Sequence, residues 1–303
     1  MAKPRLSKEK RALVLAALCE GTPINAVTRM FNTGKHAVLR VIEESGEAMA
    51  HYMRTNFRDL PTQRIEMDEQ WQYVGIHGQR AEKKNEPGRG DYWLWAAIDP
   101  DTKLVFSHLV ARRDWRASED FVADVASRVC GPVQITTDNH RSYARHIRAF
   151  FGFDGVSYGT ETKIFGEPDS LTEWQKRRKN GVPRVAKATR EAVFGSPCLE
   201  TVTTAHIERV FLTVRQELTR FTRCTLGYSK DLRMHKLSVF LHFGVYNLVR
   251  KHASLDGRTP AQAANIEEKR WSWENVIDYT DEYFREKEAA AFEAAFAALE
   301  PIE

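Results

Sequence analysis

Apolar and polar positions change period near residue 65. Before it the spacing is helical. Leu13, Val14, Ala17 and Leu18 share one helical face, which predicts a helix from Ser7 to about Glu20, with Ser7 as cap and Gly21 as stop. Thr22-Pro23 opens a second short helix over Ile24–Phe31, and Asn32-Thr33-Gly34 reads as a turn. A third helix from about Lys35 carries Val38, Val41 and Ile42 inward. Short helix, tight turn and helix form a helix-turn-helix layout, with Lys35, His36 and Arg40 as candidates to face a DNA groove. A small trihelical cap or dimerisation module would show the same pattern. Residues 44–64 read as a helix extension and a linker.

After residue 65 the period becomes two. Ile65, Met67, Trp71 and Tyr73 fall on one side of a predicted strand; Glu66, Asp68, Gln70 and Gln72 fall on the other, which reads as its polar face. A Gly- and Lys-rich loop is expected from Gly75 to Gly90. The apolar run Tyr92–Ile98 predicts a central strand, Asp99–Thr102 a turn, and Leu104–Val110 the returning strand. An amphipathic helix over 115–129, a strand over Val133–Thr137, a helix over about 140–151 and a short strand at 153–158 follow. Residues 160–200 break the pattern and read as a partly irregular insertion, facing DNA or plain solvent. From Thr203 a helix places Ile207, Val210, Phe211, Val214, Leu218 and Phe221 on one stripe. Two more helices are expected at about 231–251 and 281–299, the last for docking or oligomerisation. Strands first paired by a hairpin and then linked by helices predict an α/β fold, a mixed sheet flanked by helices.

Composition narrows the class. The chain has 303 residues, 42% of them hydrophobic, and no stretch approaches the run of about 20 apolar residues that spans a membrane. No apolar signal-peptide core follows the basic start, so a cytoplasmic, nucleoid-associated protein is expected. Net charge is +4; Lys and Arg gather in residues 1–14 and 176–190, whereas the last 25 residues are acidic and Ala-rich. That balance is compatible with nucleic acid as partner. Cys19, Cys130, Cys198 and Cys224 are far apart and form no C-x-x-C pair, so neither a zinc finger nor a disulfide framework is indicated.

Three acids stand out. Asp68 lies mid-strand, Asp138 ends the Val133–Thr137 run, and Glu208 borders the apolar stripe of the 203 helix. Mg²⁺ prefers oxygen ligands, and two such ions about 3.5–4 Å apart suit phosphodiester chemistry. A strand acid, a strand-end acid and a helical acid could supply the shared and flanking ligands. Each alone has an ordinary structural explanation, and Glu66, Glu69, Asp99, Glu200 and Glu217 are rivals.

Several stretches together are similar to a family. They are Asp68-Glu69-Gln70-Trp71, Thr136–Tyr143 (TTDNHRSY), Ile207–Arg215 (IERVFLTVR), Arg220–Arg223 (RFTR), His242–His252 and Arg258-Thr259-Pro260-Ala261. From about Ile65 to Ile266 the chain resembles bacterial insertion-sequence transposases of the DDE class, and most of all the helix-turn-helix-bearing proteins of insertion-sequence family one. The resemblance implies an RNase H-like catalytic core and an acidic triad at Asp68, Asp138 and Glu208. It implies two Mg²⁺ or Mn²⁺ ions, DNA cleavage and strand transfer at terminal inverted repeats, and a homodimer or larger assembly on double-stranded DNA. Departures exist: relatives usually carry Gly where Asn139 stands, and Asn soon after the Glu-Arg pair, where Val210-Phe211 stands.

The organisation expected is therefore a helix-turn-helix domain and linker over 1–60, an RNase H-like catalytic domain over 61–265 with its insertion at 160–200, and a helical tail over 266–303. Arg209, Arg215 and Arg220 are expected to hold phosphate as positioning contacts. His140 and His206 are expected to make structural hydrogen bonds. A DNA-binding regulator with a silent core, and an RNase H-like nuclease without strand transfer, remain alternatives.

Overall fold

A computed structural model describes residues 5–84, 86–140, 142–152, 154–165, 185–222 and 227–297. Its elements run α1 (Lys8–Cys19), α2 (Ile24–Met30), α3 (Lys35–Asn56), β1 (Arg64–Val74), α4 (Gly78–Lys84), β2 (Gly90–Ile98), β3 (Val105–Ala111), α5 (Trp115–Ala126), β4 (Val133–Thr137), α6 (Tyr143–Phe151), β5 (Val156–Phe165) and β6 (Val185–Phe194). Then come α7 (Ala205–Glu217), α8 (Leu232–Leu248), α9 (Pro260–Ala263) and α10 (Trp273–Ala297). The chain forms two compact units: Asp59–Gln70 with Trp93–Val210, and Met1–Arg58 with Trp71–Tyr92 and Phe211–Glu303.

The first of these is the sheet unit. Six strands lie in the order β3-β2-β1-β4-β5-β6, parallel between β1, β4 and β5 and antiparallel at the β2/β3 and β5/β6 hairpins. This mixed sheet flanked by helices is the α/β architecture expected. Trp95, Phe106, Phe121, Ile65, Met67 and Ile135 are its buried centre. Asp114 caps α5, its side chain accepting from the Ala117 amide at 2.8 Å. The parallel register sets Met67 of β1 beside Thr137 of β4. The next residue on each strand path is an aspartate: Asp138 stands at the carboxyl end of β4, where α/β sites gather, and Asp68 stands beside it in the middle of β1, just past the last β1/β4 pair.

The second is helical. Gly46 of α3 and Gly244 of α8 let those two helices touch: a Cβ at Gly46 would stand 2.5 Å from the Leu237 carbonyl oxygen, and one at Gly244 2.7 Å from the Met49 side chain. Arg11 of α1 donates two bonds to Asp281 of α10, at 2.7 and 2.5 Å, and Tyr52 of α3 donates to Glu267. The N-terminal helices thus share a core with α8 and α10. Val38, Val41 and Ile42 are buried on α3.

Several local expectations change. The 75–90 segment contains a helix, α4. The last helix starts at Trp273, not near 281, because Ser272 and Asn275 cap each other across its first turn. The segment 160–200 is not irregular at its described ends: β5 runs on to Phe165 and pairs with β6, Thr162 opposite Thr189, while residues 166–184 lie outside the described residues. The alternation of polar residues there was too weak to show a hairpin. The supposed polar face of β1 is also wrong: Glu66, Gln70 and Gln72 are buried, and Trp71 is exposed. No helix among the described residues is long and apolar enough to cross a membrane.

Candidate metal centre

Strand β1 and the end of β4 bring three carboxylates together. Oxygens of Asp68, Glu69 and Asp138 all lie within 4.8 Å of one another. Asp68 turns one oxygen back onto the Glu69 amide at 2.7 Å, and Asp138 accepts from the His140 amide at 3.2 Å, so both are held by their own backbone turns. Glu69 differs. Its side chain is 1% exposed, and neither of its oxygens has a hydrogen-bond partner among the described residues. Such a buried carboxylate is costly unless something positive meets it. Arg113 comes within 3.8 Å of Glu69 and 3.9 Å of Asp138, which is attraction across a gap rather than a hydrogen bond.

The electrostatics record the crowding. Burial, followed by the neighbouring charge of Asp138, pushes the Asp68 carboxyl up to about 7. The same two causes in the same order push Glu69 up to about 8. Behind them, Tyr143 is fully buried and its phenol is raised well above its usual range, first by burial and then by Glu69 and Asp68. Trp95 meets His140 and Tyr143 edge-on, with ring centres 6.2 and 6.0 Å apart. Three acids above the Trp95 and Tyr143 rings, with Arg113 at their edge, are an oxygen-only donor set that fits a hard divalent ion.

Glu208 is placed differently from Asp68 and Asp138. It is exposed on the first turn of α7, outside the three-carboxylate set, yet close enough for its charge to help raise Asp68. Thr204 donates to it at 2.9 Å, and Lys163 of β5 makes an ion pair with it. Lys163 also stands 3.4 Å from Glu161. The start of α7 is itself anchored by two buried strand acids. Glu66 accepts from the His206 and Ile207 amides at 2.9 and 3.1 Å and meets His206 Nδ1 at 2.6 Å. Glu161 accepts from the Thr204 amide at 3.0 Å. Carboxylates at a helix N-terminus complement its unpaired amides and dipole.

The remaining candidates separate. His206 makes the Glu66 contact, and His140 pairs with Ser142 at 2.8 Å while standing 3.9 Å from Glu69. Asp99 organises its own turn through the Asp101 and Thr102 amides. Glu217 forms ion pairs with Arg250 and, at 3.5 Å, His242. Lys35, His36, Arg40 and Arg209 are exposed, and Arg215 is half-buried. Arg220 bonds Ser229 Oγ at 3.4 Å, and burial drops its pKa to about 10. Arg220 and Lys35 both line a cavity of about 460 Å³ in the helical unit. Glu69 is the acid that alternation misplaces, since strict period two puts it opposite Asp68; the signal for it was the Asp-Glu doublet itself.

No family model matches the chain, and no curated protein matches it. Among solved structures it is similar to the Mos1 strand transfer complex, at 11% identity over 81% of this chain and 78% of that one, with a TM-score of 0.22. It is also similar to a pre-cleavage Mos1 transpososome, at 11% identity over 85% of this chain and 81% of that one, with a TM-score of 0.24. Superposition at that level does not establish a shared activity.

Proposed function

We propose that the chain is a DDE-type DNA transposase, a polynucleotidyl transferase acting at the ends of an insertion sequence. One observation carries this reading: Asp68 and Glu69 of mid-β1 gather with Asp138, which follows the end of the parallel neighbour β4, and the Glu69 carboxylate is buried without a hydrogen-bond partner among the described residues. A structural role would satisfy those oxygens, as it does for Glu66. Asp68 and Asp138 would be the principal ligands for two Mg²⁺ or Mn²⁺ ions, and Glu208, which pairs with Lys163 here, would be the third member of the triad. Glu69 adds a fourth carboxylate beneath them. Bound cations supply charge neutralisation and polarise the phosphodiester.

The chain's own residues do the rest. Arg113, 3.9 Å from Asp138, offers a guanidinium at the rim, placed to orient a phosphate. Arg209 follows Glu208 on the exposed face of α7; it, Arg215 and Arg220 are the phosphate-positioning set. The Trp95 and Tyr143 floor excludes water from below, which strengthens every charge interaction in the site. Residues 1–60 carry the DNA-reading helices, with Lys35, His36 and Arg40 at the start of α3. Residues 61–265 are the catalytic domain, and 266–303 the helical tail. Terminal inverted repeats and target DNA are the substrates, with the protein acting as a homodimer or larger assembly.

The test is incubation with Mg²⁺ and duplex DNA bearing the sequences that flank the gene. Nicking at the ends followed by joining is the expected result. Nicking without joining identifies a nuclease instead, and binding alone a regulator. Asp138→Asn should abolish cutting while holding duplex affinity within about twofold, since it touches the ion site and no DNA-reading surface.

A further inference from the structure

Strand β1 inverts the usual rule just past its acids. Gln70 and Gln72 are 3% and 2% exposed, with both amide atoms of each lacking a hydrogen-bond partner among the described residues. Between them Trp71 is 37% exposed. Burying two amides while showing an indole to solvent is unfavourable on both counts. Such reversals of local logic concentrate where function requires them.

Trp71 does not stand alone. Its ring lies 5.5 Å from His77 at 13° between planes, His77 lies 4.2 Å from Tyr73 at 24°, and Tyr73 lies 5.1 Å from Tyr228 at 35°. Buried aromatic pairs elsewhere range from tilted to edge-on: Phe221 with His235 at 31°, Trp95 with Phe121 at 49°, Tyr52 with Phe57 at 89°. Here the Trp71, His77 and Tyr73 planes are stacked, Tyr228 is tilted against them, and Trp71 and His77 are exposed. A stack whose outer ring, Trp71, reaches solvent presents a flat face on which another planar ring can stack. Two exposed cations stand close to it along the chain: Arg80, three residues after His77, and Lys230, two residues after Tyr228.

We propose that the Trp71–His77–Tyr73–Tyr228 ladder is a stacking platform for an unpaired base of a DNA strand, with the exposed Arg80 and Lys230 taking its backbone. Sequence-tolerant strand binding combines these two features, aromatic faces and positive charge. The platform residues share one compact unit, and Trp71 lies on the strand that also bears Asp68 and Glu69. The inference rests on the DNA reading above, but its test needs no cleavage.

The experiment measures binding of the full chain to fluorescent DNA of about 15 nucleotides, single-stranded or duplex, and to the RNA of the same sequence. Trp71→Ala should weaken single-strand binding about 5- to 100-fold, and Trp71→Phe only a few-fold, with duplex binding unchanged. His77→Ala, outside the strand, should weaken it about 3- to 10-fold and guards against a Trp71→Ala chain that fails to fold. The proposal is overturned if wild type does not bind the single strand, if both alanine variants bind it normally, if single-strand and duplex affinity fall together, or if RNA binds more tightly than DNA. Loss of cutting in Asp138→Asn leaves this readout untouched, so the two readings can fail separately.

Discussion

Glu66 and Glu69 stand three residues apart on β1, both with buried side chains, in opposite company. Glu66 receives two backbone amides and a histidine from the start of α7. Burial pushes its pKa up, and the His206 contact together with those amides offsets only part of that, leaving it raised. Glu69 receives no backbone amide among the described residues, only the Tyr143 hydroxyl near it, and two more carboxylates crowd it. One corner uses a buried charge to fasten a helix to the sheet. The other leaves charge unsatisfied, a condition a fold tolerates at sites that await a ligand. Burial alone therefore does not mark a functional acid; burial without partners does.

The largest expected effect breaks the comparison at the cluster. Asp68→Asn should cut metal-dependent strand cleavage by at least about a hundredfold, with unfolding stability unchanged or higher, because one repelling charge is gone. Cleavage that survives this change would remove Asp68 from the chemistry. Next comes the satisfied corner. Glu66→Ala leaves the His206 and Ile207 amides without their acceptor and should lower stability by about 2–4 kcal/mol in denaturant titration. A loss below about 1 kcal/mol would show that α7 holds without it.

The third prediction concerns pH. Asp68 at about 7 and Glu69 at about 8 sit above their usual values of 3.8 and 4.5. Between those limits the folded protein keeps protons that the unfolded chain has released, so stability of the metal-free protein falls as pH rises from about 4 to about 8; the penalty is absent below that window and complete above it. A divalent cation competes with those protons. Mn²⁺ at about a hundred times its Kd should add about 2.7 kcal/mol, and the cation concentration needed to reach it should fall as pH rises from about 5 to about 8. A Tm gain independent of pH would place the ion elsewhere. The smallest effect sharpens the contrast. Glu69→Gln should raise metal-free stability by about 1 kcal/mol near pH 9 while shrinking the Mn²⁺-induced gain, the reverse of what Glu66→Ala does. If Glu208→Gln shrinks that gain and Glu69→Gln does not, the helical acid is the third ligand.

Much of this molecule is written in its local pattern. The apolar spacing at Val38, Val41 and Ile42 places α3, and the run Tyr92–Ile98 places β2, because helix and strand periods follow from where a side chain must point to be buried. Asp138 is legible for the same reason: it is the polar residue that stops an apolar strand. Other features depend on partners far along the chain. The β1/β4 register, not either strand alone, sets Asp68 beside Asp138, and a shift by one residue would turn one of them away. Long-range pairing likewise extends β5 into a hairpin with β6, which carries Lys163 to Glu208. Period-two reading put Glu66 on a polar side and Trp71 on an apolar one; the fold buried the first against α7 and exposed the second. Alternation reports which side of a strand a residue takes, whereas only the assembled neighbours decide whether that side is water, a helix end or a cluster of like charges.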